Sequence, residues 1–502
     1  MDKTLDHLIG ETLVFGIPGP RPSQEDLRLF RETHAAGLIL YRINFRSPTQ
    51  IKELIREMEE SLQRRLLVTV DHEGGRVVMF QSGVTIFPDN LAFGTVGRTT
   101  HTRAQGTIEG RELRRLGMDV AFSPTVDVLT DAFSPNIGIR SYGNDPAVVA
   151  RLAAGRIRAL QKEGVSACAK HFPGLGAATL DPHLDLPVIP VTWRELRRTH
   201  LVPFRAAIKA GVDMIMSSHP LYPNLDPLPK TPATFSRRLM TDLLRREMGF
   251  EGVVASDDLE MGALRSLASV GQAAVLAARA GHDVILCCHK NHLQRKVFDA
   301  LKDAYRSGIL PVSELEKSVE RIRRLRGTHR PRFSFGPAEA EPGGQSLAQT
   351  VARKAVRVFP GRVSLPLKPK GKIQILFPRL SDLAQTIMIE PDLCRERSFL
   401  QKYVLSDAVI TLLPIDPTPA DIRHAVRAGK ECVTTVFFCY DAHLQPGNRK
   451  MIVALQKTKR PVVVVLMRDP YDKEFLSPST TVVCAFGYRQ AQIEACLAKI
   501  FR

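Results

Sequence analysis

The stretch GVSACAKHFPGLG, from Gly164 to Gly176, passes within a few residues from an apolar run to a loop of small and charged residues. Its apolar part is continuous rather than alternating, which is typical of a β-strand covered on both faces. Lys170 and His171 stand where this run ends, and a glycine-containing loop follows them. The stretch therefore predicts a strand of a buried parallel sheet with polar side chains near its carboxyl end.

Seven further runs of this kind occur before about residue 290, and helix-like segments such as Thr49–Arg64 separate them. The eight runs are TLVFGI, GLILYR, LLVTVD, GMDVAFSP, GVSACAKHF, GVDMIMSSH, GFEGVVASDD and GHDVILCC. Regular alternation of this kind predicts parallel βα units. Eight such units favour an α/β fold with a closed (β/α)8 TIM barrel over a doubly wound open sheet.

The pattern changes after a final helix predicted over Val312–Arg326. Residues 331–345 hold several prolines and glycines without periodicity, and we predict a linker there. Beyond it, five strand-like runs are partly separated by helical stretches: Lys372–Phe377, Ala408–Leu413, Cys432–Phe438, Pro461–Met467 and Thr481–Phe486. The predicted organisation is a barrel over residues 1–330, the linker over 331–345, and a smaller α/β sandwich domain over 346–502.

The composition is that of a folded protein with a basic surface. Hydrophobic residues make up 44% and charged residues 24%, which excludes a disordered chain, a collagen or a coiled-coil rod. The formal net charge is +18, and residues 345–502 carry 24 basic against 13 acidic residues. Such an excess can attract nucleic acid, an anionic membrane or an acidic substrate. Since aromatic residues are not interleaved with these charges, we do not expect a nucleic-acid partner, and a solvated surface is the simpler interpretation.

The cysteines and the N-terminus indicate a reducing compartment. The eight cysteines form no CxxC pair, and their spacing favours free thiols over a zinc site or a disulfide framework. We predict no cofactor and no metal. The N-terminal MDKTLDHLIG lacks the pattern of a secretory signal, and the apolar runs are too short to span a bilayer. We therefore expect a soluble cytoplasmic protein without a membrane partner, and we make no prediction of its oligomeric state.

Polar side chains gather at the predicted carboxyl ends of the barrel strands, where the loops of such barrels carry their chemistry. These residues are Asp71, Asp127, Lys170, His171, His219, Asp257 and Asp258. They predict a site that faces one end of the barrel.

The loop KHFPGLGAATLDPHLDLP, Lys170–Pro187, is the densest of these segments. Asp181 and His183 are two residues apart, so the carboxylate can bond one ring nitrogen and orient the other. Such a partner also raises the basicity of the imidazole, which suits a proton shuttle. The alternative is a surface loop whose histidine faces water.

Three other segments offer a nucleophile and binding groups. In VVASDDLEMGAL, Asp257 could act as a nucleophile if cations such as Lys170 and Arg140 keep it ionised, although these acidic residues could instead cap the next helix. In VDHEGGRVVMF, Asp71 could accept two sugar hydroxyls, or the segment could be an ordinary turn. SPNIGIRSYGNDP offers Arg140 for hydroxyl or carbonyl contacts, although a lone arginine in a loop is usually solvated.

In this order, the four segments resemble family 3 glycoside hydrolases, specifically the β-N-acetylglucosaminidase branch. The resemblance continues through PFRAAIKAGVDMIMSSHPLYPNLD and PATFSRRLMTDLLRREMGFEGVVASDDLEMGAL, and it covers roughly residues 8–330. The later domain is similar, in pattern only, to the C-terminal α/β sandwich that some members carry.

The resemblance implies a retaining, two-step hydrolysis of terminal β-linked N-acetylglucosamine, with cell-wall (peptidoglycan) fragments as the expected source. Asp257 matches the family's nucleophile, and His183 with its partner Asp181 matches the general acid/base. The sugar-binding positions match Asp71, Arg140, Lys170 and His171.

Two residues depart from the family's pattern. Pro182 stands where the family has serine between the aspartate and the histidine, and proline restricts the motion of that loop. Met79 stands where a second arginine usually touches the sugar, and Arg76 is a candidate to replace it. Two alternatives stay open. A histidine acid/base would let phosphate replace water, which gives a phosphorylase or another β-glycosidase using the same site. The two departures could also indicate a catalytically impaired sugar-binding protein.

Overall fold

The computed structural model describes residues 2–178, 186–228, 231–327, 339–368, 370–384, 386–404 and 408–502. Its first sheet has eight strands: β1 (Leu13–Phe15), β2 (Gly37–Leu40), β3 (Leu67–Val70), β4 (Val120–Ala121), β5 (Ser166–Phe172), β6 (Met214–Ser217), β7 (Val253–Ala255) and β8 (Ile285–Cys287). All neighbours pair in parallel, in the order β7-β6-β5-β4-β3-β2-β1-β8. A bridge between Ala255 and Val284 joins the two edges, so the sheet closes into the predicted barrel.

The inside of the barrel is a separate buried cluster. Alternate residues of the strands, such as Val14, Ile39 and Leu67, pack there at 0–3% exposure. Ile322 of the helix Val312–Gly327 belongs to the same cluster. Because each strand is buried on both faces, the strand sequences are continuous apolar runs, as predicted.

Helices connect the barrel strands, and several begin at capping residues. Before Pro48–Leu62, for example, the Ser47 hydroxyl accepts a hydrogen bond from the Gln50 N–H at 3.2 Å, and proline occupies the first helical position. The helices of this region are Asp2–Glu11, Gln24–Thr33, Pro48–Leu62, Asn90–Val96, Thr99–Arg115, Pro146–Lys162, Trp193–Glu195, Leu196–His200, Leu201–Lys209, Arg238–Glu247, Gly262–Arg265, Val270–Ala280, Asn291–Arg306 and Val312–Gly327. Within the described ranges, no helix has the length and apolar content needed to cross a lipid bilayer.

The second sheet contains β9 (Arg357–Phe359), β10 (Ile373–Pro378), β11 (Val409–Leu413), β12 (Thr434–Cys439), β13 (Val462–Leu466) and β14 (Thr481–Cys484). Its order is β11-β10-β12-β13-β14-β9, and only β9 pairs antiparallel with its neighbour among the described strands. The longer helices of this domain are Gly344–Ala355, Glu396–Gln401, Pro419–Ala428, Pro446–Lys457 and Gln490–Phe501. This mixed α/β domain follows the barrel, as predicted. The predicted boundaries at 330 and 345 stay predictions.

Two arginines join the second domain to the loops that follow β2 and β3. Arg489 is buried, and its Nε donates to the Gly75 carbonyl at 2.7 Å while its Nη1 donates to the Met388 carbonyl at 2.6 Å. Arg42 of the barrel donates from Nη1 to the carbonyls of Ala384 and Ile387, each at 2.5 Å. The second domain therefore packs on the carboxyl end of the barrel.

We expect the Gly75→Ala variant to be markedly less stable than the wild type. Gly75 has φ +50°, and a Cβ there would lie 2.2 Å from Asp89 Oδ1. The turn also contacts Arg489 of the second domain. Backbone strain and overpacking together should cost about 2 to 5 kcal/mol of unfolding free energy. The matched control is Gly308→Ala, since Gly308 also has a positive φ (+75°) but open space around it. Equal losses in urea unfolding of the two variants would contradict the steric part of this prediction.

Candidate active site

A cavity of about 860 Å³ opens at the carboxyl end of the barrel. Five of the seven predicted site residues line it: Asp71, Arg140, Lys170, His171 and Asp257. The other two, Asp181 and His183, lie outside the described residues. Thr386, Ile387 and Met388 of the second domain complete one side of the wall.

Glu73 links two cations at the base of this cavity. Its Oε1 lies 2.7 Å from both Arg140 Nη2 and Lys170 Nζ, and its Oε2 accepts from Arg140 Nε at 2.9 Å. Burial opposes the charge of Glu73, but Arg140 and Lys170 outweigh it and hold the pKa of Glu73 well below its ordinary value. The Glu73 carboxylate is therefore ionised, and it fixes both cations in place.

Lys170 also forms an ion pair with Asp71. Its ammonium donates to Asp71 Oδ1 at 2.5 Å. Burial lowers the pKa of Lys170, but Asp71 and Glu73 together raise it above its ordinary value. Asp71 follows β3 and its side chain is about one-fifth exposed. One Asp71 oxygen is thus tied to Lys170, while the carboxylate still faces the cavity, as binding of ligand hydroxyls requires.

Asp127 orients His171. The Nδ1 atom of His171 lies 2.8 Å from Asp127 Oδ2, and its Nε2 faces Arg140 Nη2 at 3.4 Å. Because the Arg140 guanidinium can only donate, the assigned tautomer has Nδ1–H donating to Asp127 and a free electron pair on Nε2. The other Asp127 oxygen accepts from the Leu175 N–H at 2.6 Å, so Asp127 also fixes the start of the following loop.

The three residues Ser256, Asp257 and Asp258 have different roles. The Ser256 hydroxyl accepts from the Leu286 N–H at 3.0 Å, and Asp258 Oδ1 accepts from the Cys288 N–H at 3.2 Å, so both tie this loop to β8. The helix that follows, Gly262–Arg265, has Met261 at its N-cap without a side-chain hydrogen bond. In the structure, therefore, none of the three caps that helix.

Asp257 is half-buried and belongs to the cavity wall. Burial raises its pKa, but His219, His171 and Lys170 have the larger combined effect and lower the pKa of Asp257 below its ordinary value. A carboxylate that stays ionised in the wall of a cavity, near a lysine ammonium, is suited to nucleophilic attack. The role of Asp257 as the nucleophile stays a prediction.

Glu73 lines the cavity but was not among the residues predicted from the sequence, although it sits in the EGG turn beside Asp71. Asp127 and His219 were predicted at strand ends near the site, and in the structure His219 lines the cavity while Asp127 contacts His171. His219 is held by Thr234 Oγ1 at 2.8 Å and by the Asp258 carbonyl at 3.0 Å. No local signal marks residues 386–388, because they reach the cavity through contacts between domains.

Met79 lines the cavity, and so do three arginines outside the Glu73 network. They are Arg42, Arg76 and Arg265. Arg76 donates from Nη1 to the Pro135 carbonyl at 3.2 Å, which holds it at the wall. Its proposed compensation for the arginine that Met79 replaces stays a prediction.

Comparisons with known proteins found chains that are similar in sequence and in structure. The family model described as glycosyl hydrolase family 3 N terminal domain matches residues 4–325. A beta-hexosaminidase of Thioalkalivibrio sulfidiphilus is 37% identical over 297 residues, which cover 58% of this chain and 84% of that protein. One from Neisseria meningitidis serogroup C is 32% identical over 362 residues, covering 71% of this chain and 94% of that protein. A solved glycoside hydrolase family 3 beta-N-acetylglucosaminidase from a Paenibacillus species superposes with a TM-score of 0.92 at 29% identity, covering 99% of this chain and 96% of that one.

Proposed function

The chain belongs to glycosyl hydrolase family 3, and we propose that it removes terminal β-linked N-acetylglucosamine from saccharides with retention of anomeric configuration. The observation that carries this proposal is Asp257, an ionised carboxylate in the wall of the cavity near Lys170 and His171. The beta-hexosaminidase relatives support the choice of sugar.

The proposed reaction has two displacements at the anomeric carbon. Asp257 attacks that carbon and forms a covalent glycosyl-enzyme while His183, oriented by Asp181, protonates the departing oxygen. His183 then takes a proton from water, which attacks the same carbon and releases Asp257. The roles of His183 and Asp181 rest on the resemblance of Asp181-Pro182-His183 to the family's motif.

The network around Glu73 supports binding of the sugar. Asp71 presents acceptor oxygens, while Arg140 and Lys170 present donors that Glu73 holds in place. Groups fixed before the sugar arrives lose little freedom on binding, which favours the reactive orientation.

We propose cytoplasmic peptidoglycan-derived fragments as the source of the sugar. Arg42, Arg76 and Arg265 line the cavity in addition to the Glu73 network, and such cations suit a leaving group that carries carboxylates. To test this, kcat/KM is measured for neutral chitobiose and for an N-acetylglucosaminyl saccharide with an acidic aglycone. In Arg265→Ala, kcat/KM should fall for the acidic saccharide and stay near the wild-type value for chitobiose.

The reaction itself is tested with p-nitrophenyl N-acetyl-β-glucosaminide and the matching β-glucoside. We expect turnover of the first to exceed that of the second, with free N-acetylglucosamine as product at a rate that inorganic phosphate leaves unchanged. Binding without turnover would contradict the proposal and favour the impaired sugar-binding protein. A sugar 1-phosphate that forms only with phosphate would favour the phosphorylase.

The pH dependence of glycosylation provides a separate test of Asp257. With N-acetyl-β-glucosaminyl fluoride, the leaving fluoride needs little help from a general acid, so kcat/KM reports mainly the ionisation of the nucleophile. Because the pKa of Asp257 is lowered from 3.8, its carboxylate stays ionised as the pH falls. We expect kcat/KM for the fluoride to be constant from pH 7 to pH 5. A loss of activity with an apparent pKa inside this range would contradict the assignment.

A further inference from the structure

A second cluster of titratable side chains lies at the carboxyl ends of β12 and β13, outside the cavity. Asp441 and His443 follow β12, and Asp469 follows β13. Each of these three residues offers one ligand atom, and the three atoms lie within 4.8 Å of one another. We call this group the β12–β13 cluster.

His443 is oriented by a carboxylate on its other ring nitrogen. Its Nδ1 lies 2.7 Å from Asp472 Oδ1, and Asp472 also accepts from the backbone N–H groups of Ala442 at 2.5 Å and His443 at 3.0 Å. This leaves His443 Nε2 facing Asp441 Oδ1 at 3.9 Å, which is too long for a hydrogen bond. A histidine held in this way by a carboxylate, with its second nitrogen turned toward other ligands, is the usual arrangement beside a bound metal ion.

Two buried carboxylate oxygens of this cluster have no hydrogen-bond partner among the described residues. They are Asp441 Oδ1 and Asp469 Oδ2, and their residues are only 3% and 2% exposed. The opposite oxygens are engaged, since Asp441 Oδ2 pairs with Arg468 and Asp469 Oδ1 accepts from the Tyr471 N–H at 3.1 Å. Burying an acceptor without a partner is costly, so these two oxygens point to a ligand that the cluster receives.

The charges of the cluster indicate that this ligand is a cation. Asp441, Asp469 and Asp472 contribute three negative charges when ionised, and Arg468 contributes one positive charge. A bound dication favours the neutral imidazole and the ionised carboxylates, and it offsets the two carboxylates in excess over Arg468. An imidazole nitrogen with two carboxylate oxygens suits Zn²⁺ better than Ca²⁺ or Mg²⁺, which prefer oxygen-only shells.

We propose that Asp441, His443 and Asp469 bind one Zn²⁺ ion at the interface of the two domains. The ion gives each of the two unpartnered carboxylate oxygens a bonding partner, and it links the loops after β12 and β13. Phe133 of the barrel packs against His443 with ring centroids 5.0 Å apart, and a Cβ on Gly138 would lie 2.8 Å from Arg468 Nη2. The bound ion therefore makes these two loops more rigid where they contact the barrel segment from Phe133 to Gly138, which leads to Arg140.

The test uses the full-length protein after treatment with EDTA and its removal, with Zn²⁺ alone as the probe. We expect isothermal titration calorimetry to show one equivalent of Zn²⁺ that binds more tightly than any further zinc. The melting temperature should rise in zinc because the ion binds the native state. In His443→Ala and in the isosteric Asp469→Asn, that equivalent should be lost together with the rise in melting temperature. Asp472→Asn should weaken binding by about 10- to 100-fold, because it removes the group that orients His443.

Two controls locate the ion. His424→Ala removes an exposed histidine of the same domain and should bind zinc as the wild type does. Asp257→Ala should also keep the equivalent, which excludes zinc bound in the cavity. Crystals soaked in zinc should give an anomalous peak between Asp441 and His443. Wild-type protein that binds no zinc, retention of the equivalent in both His443→Ala and Asp469→Asn, or a peak elsewhere would overturn the proposal.

Discussion

We expect the Asp257→Ala variant to lose at least about 10⁴-fold in kcat/KM toward p-nitrophenyl N-acetyl-β-glucosaminide, since removal of a nucleophile typically costs this much. Without the carboxylate, no covalent glycosyl-enzyme forms, and water in the cavity must attack directly. The loss should lie mainly in kcat, because the proposed sugar-binding residues Asp71, Arg140 and Lys170 are unchanged.

The fold should survive this change. Among the described residues, Asp257 accepts one hydrogen bond, from the neighbouring Asp258 N–H at 2.9 Å, and its side chain is half-buried. Sodium azide should restore part of the turnover and give the α-glycosyl azide, because the small anion fits the space left by the carboxylate. The matched control is Asp303→Ala, an exposed aspartate on the helix Asn291–Arg306, which should keep wild-type activity.

A 2-deoxy-2-fluoro glycosyl fluoride provides an independent measurement. It should form a stable adduct that mass spectrometry places on the peptide containing Asp257. An adduct on another carboxylate, or full turnover by Asp257→Ala, would show that Asp257 is not the nucleophile.

The second large effect is expected from Glu73→Gln. The amide is nearly isosteric, but it leaves Arg140 and Lys170 without the negative charge that offsets their burial. Removing one partner from a buried ion pair costs about 3 to 5 kcal/mol of unfolding free energy. Because both cations are then displaced, kcat/KM should also fall by about 10²-fold.

The pH dependence separates this charge effect from a loss of packing. Since the folded-state pKa of Glu73 is lowered, its stabilisation is fully present above the unfolded value near 4.5 and is lost as the pH falls toward the folded value. The difference between wild type and Glu73→Gln should therefore be smaller at pH 4 than at pH 7 in urea unfolding. The exposed Glu316→Gln serves as control and should change stability by less than about 0.5 kcal/mol. A difference that is independent of pH would indicate lost packing instead.

Most of the fold could be predicted from the sequence because strands buried on both faces must be apolar throughout. All eight barrel runs and the five runs after the linker correspond to strands. Strand β9 was missed because Arg357–Phe359 lies at the edge of its sheet and is partly exposed, so no continuous apolar run marks it. It is recognisable only through its antiparallel pairing with β14.

The site was predictable where it follows strand ends, since a closed barrel brings those ends together. Asp71, Lys170, His171 and Asp257 line one cavity for that reason. The role of Glu73 depends on partners that are distant in sequence, such as Arg140, 67 residues away. The contact between Arg42 and Ile387 spans 345 residues, and no local pattern encodes it.

The contribution of residues 386–388 to the cavity wall bears on how enzymes of this architecture diverge. Substitutions there can reshape the entrance without altering Asp257, Lys170 or Glu73, which belong to the barrel. One side of the cavity wall can therefore vary with the second domain while the proposed nucleophile and its neighbours stay encoded in the barrel. Recombination that exchanges second domains between relatives would replace this side of the wall in a single step.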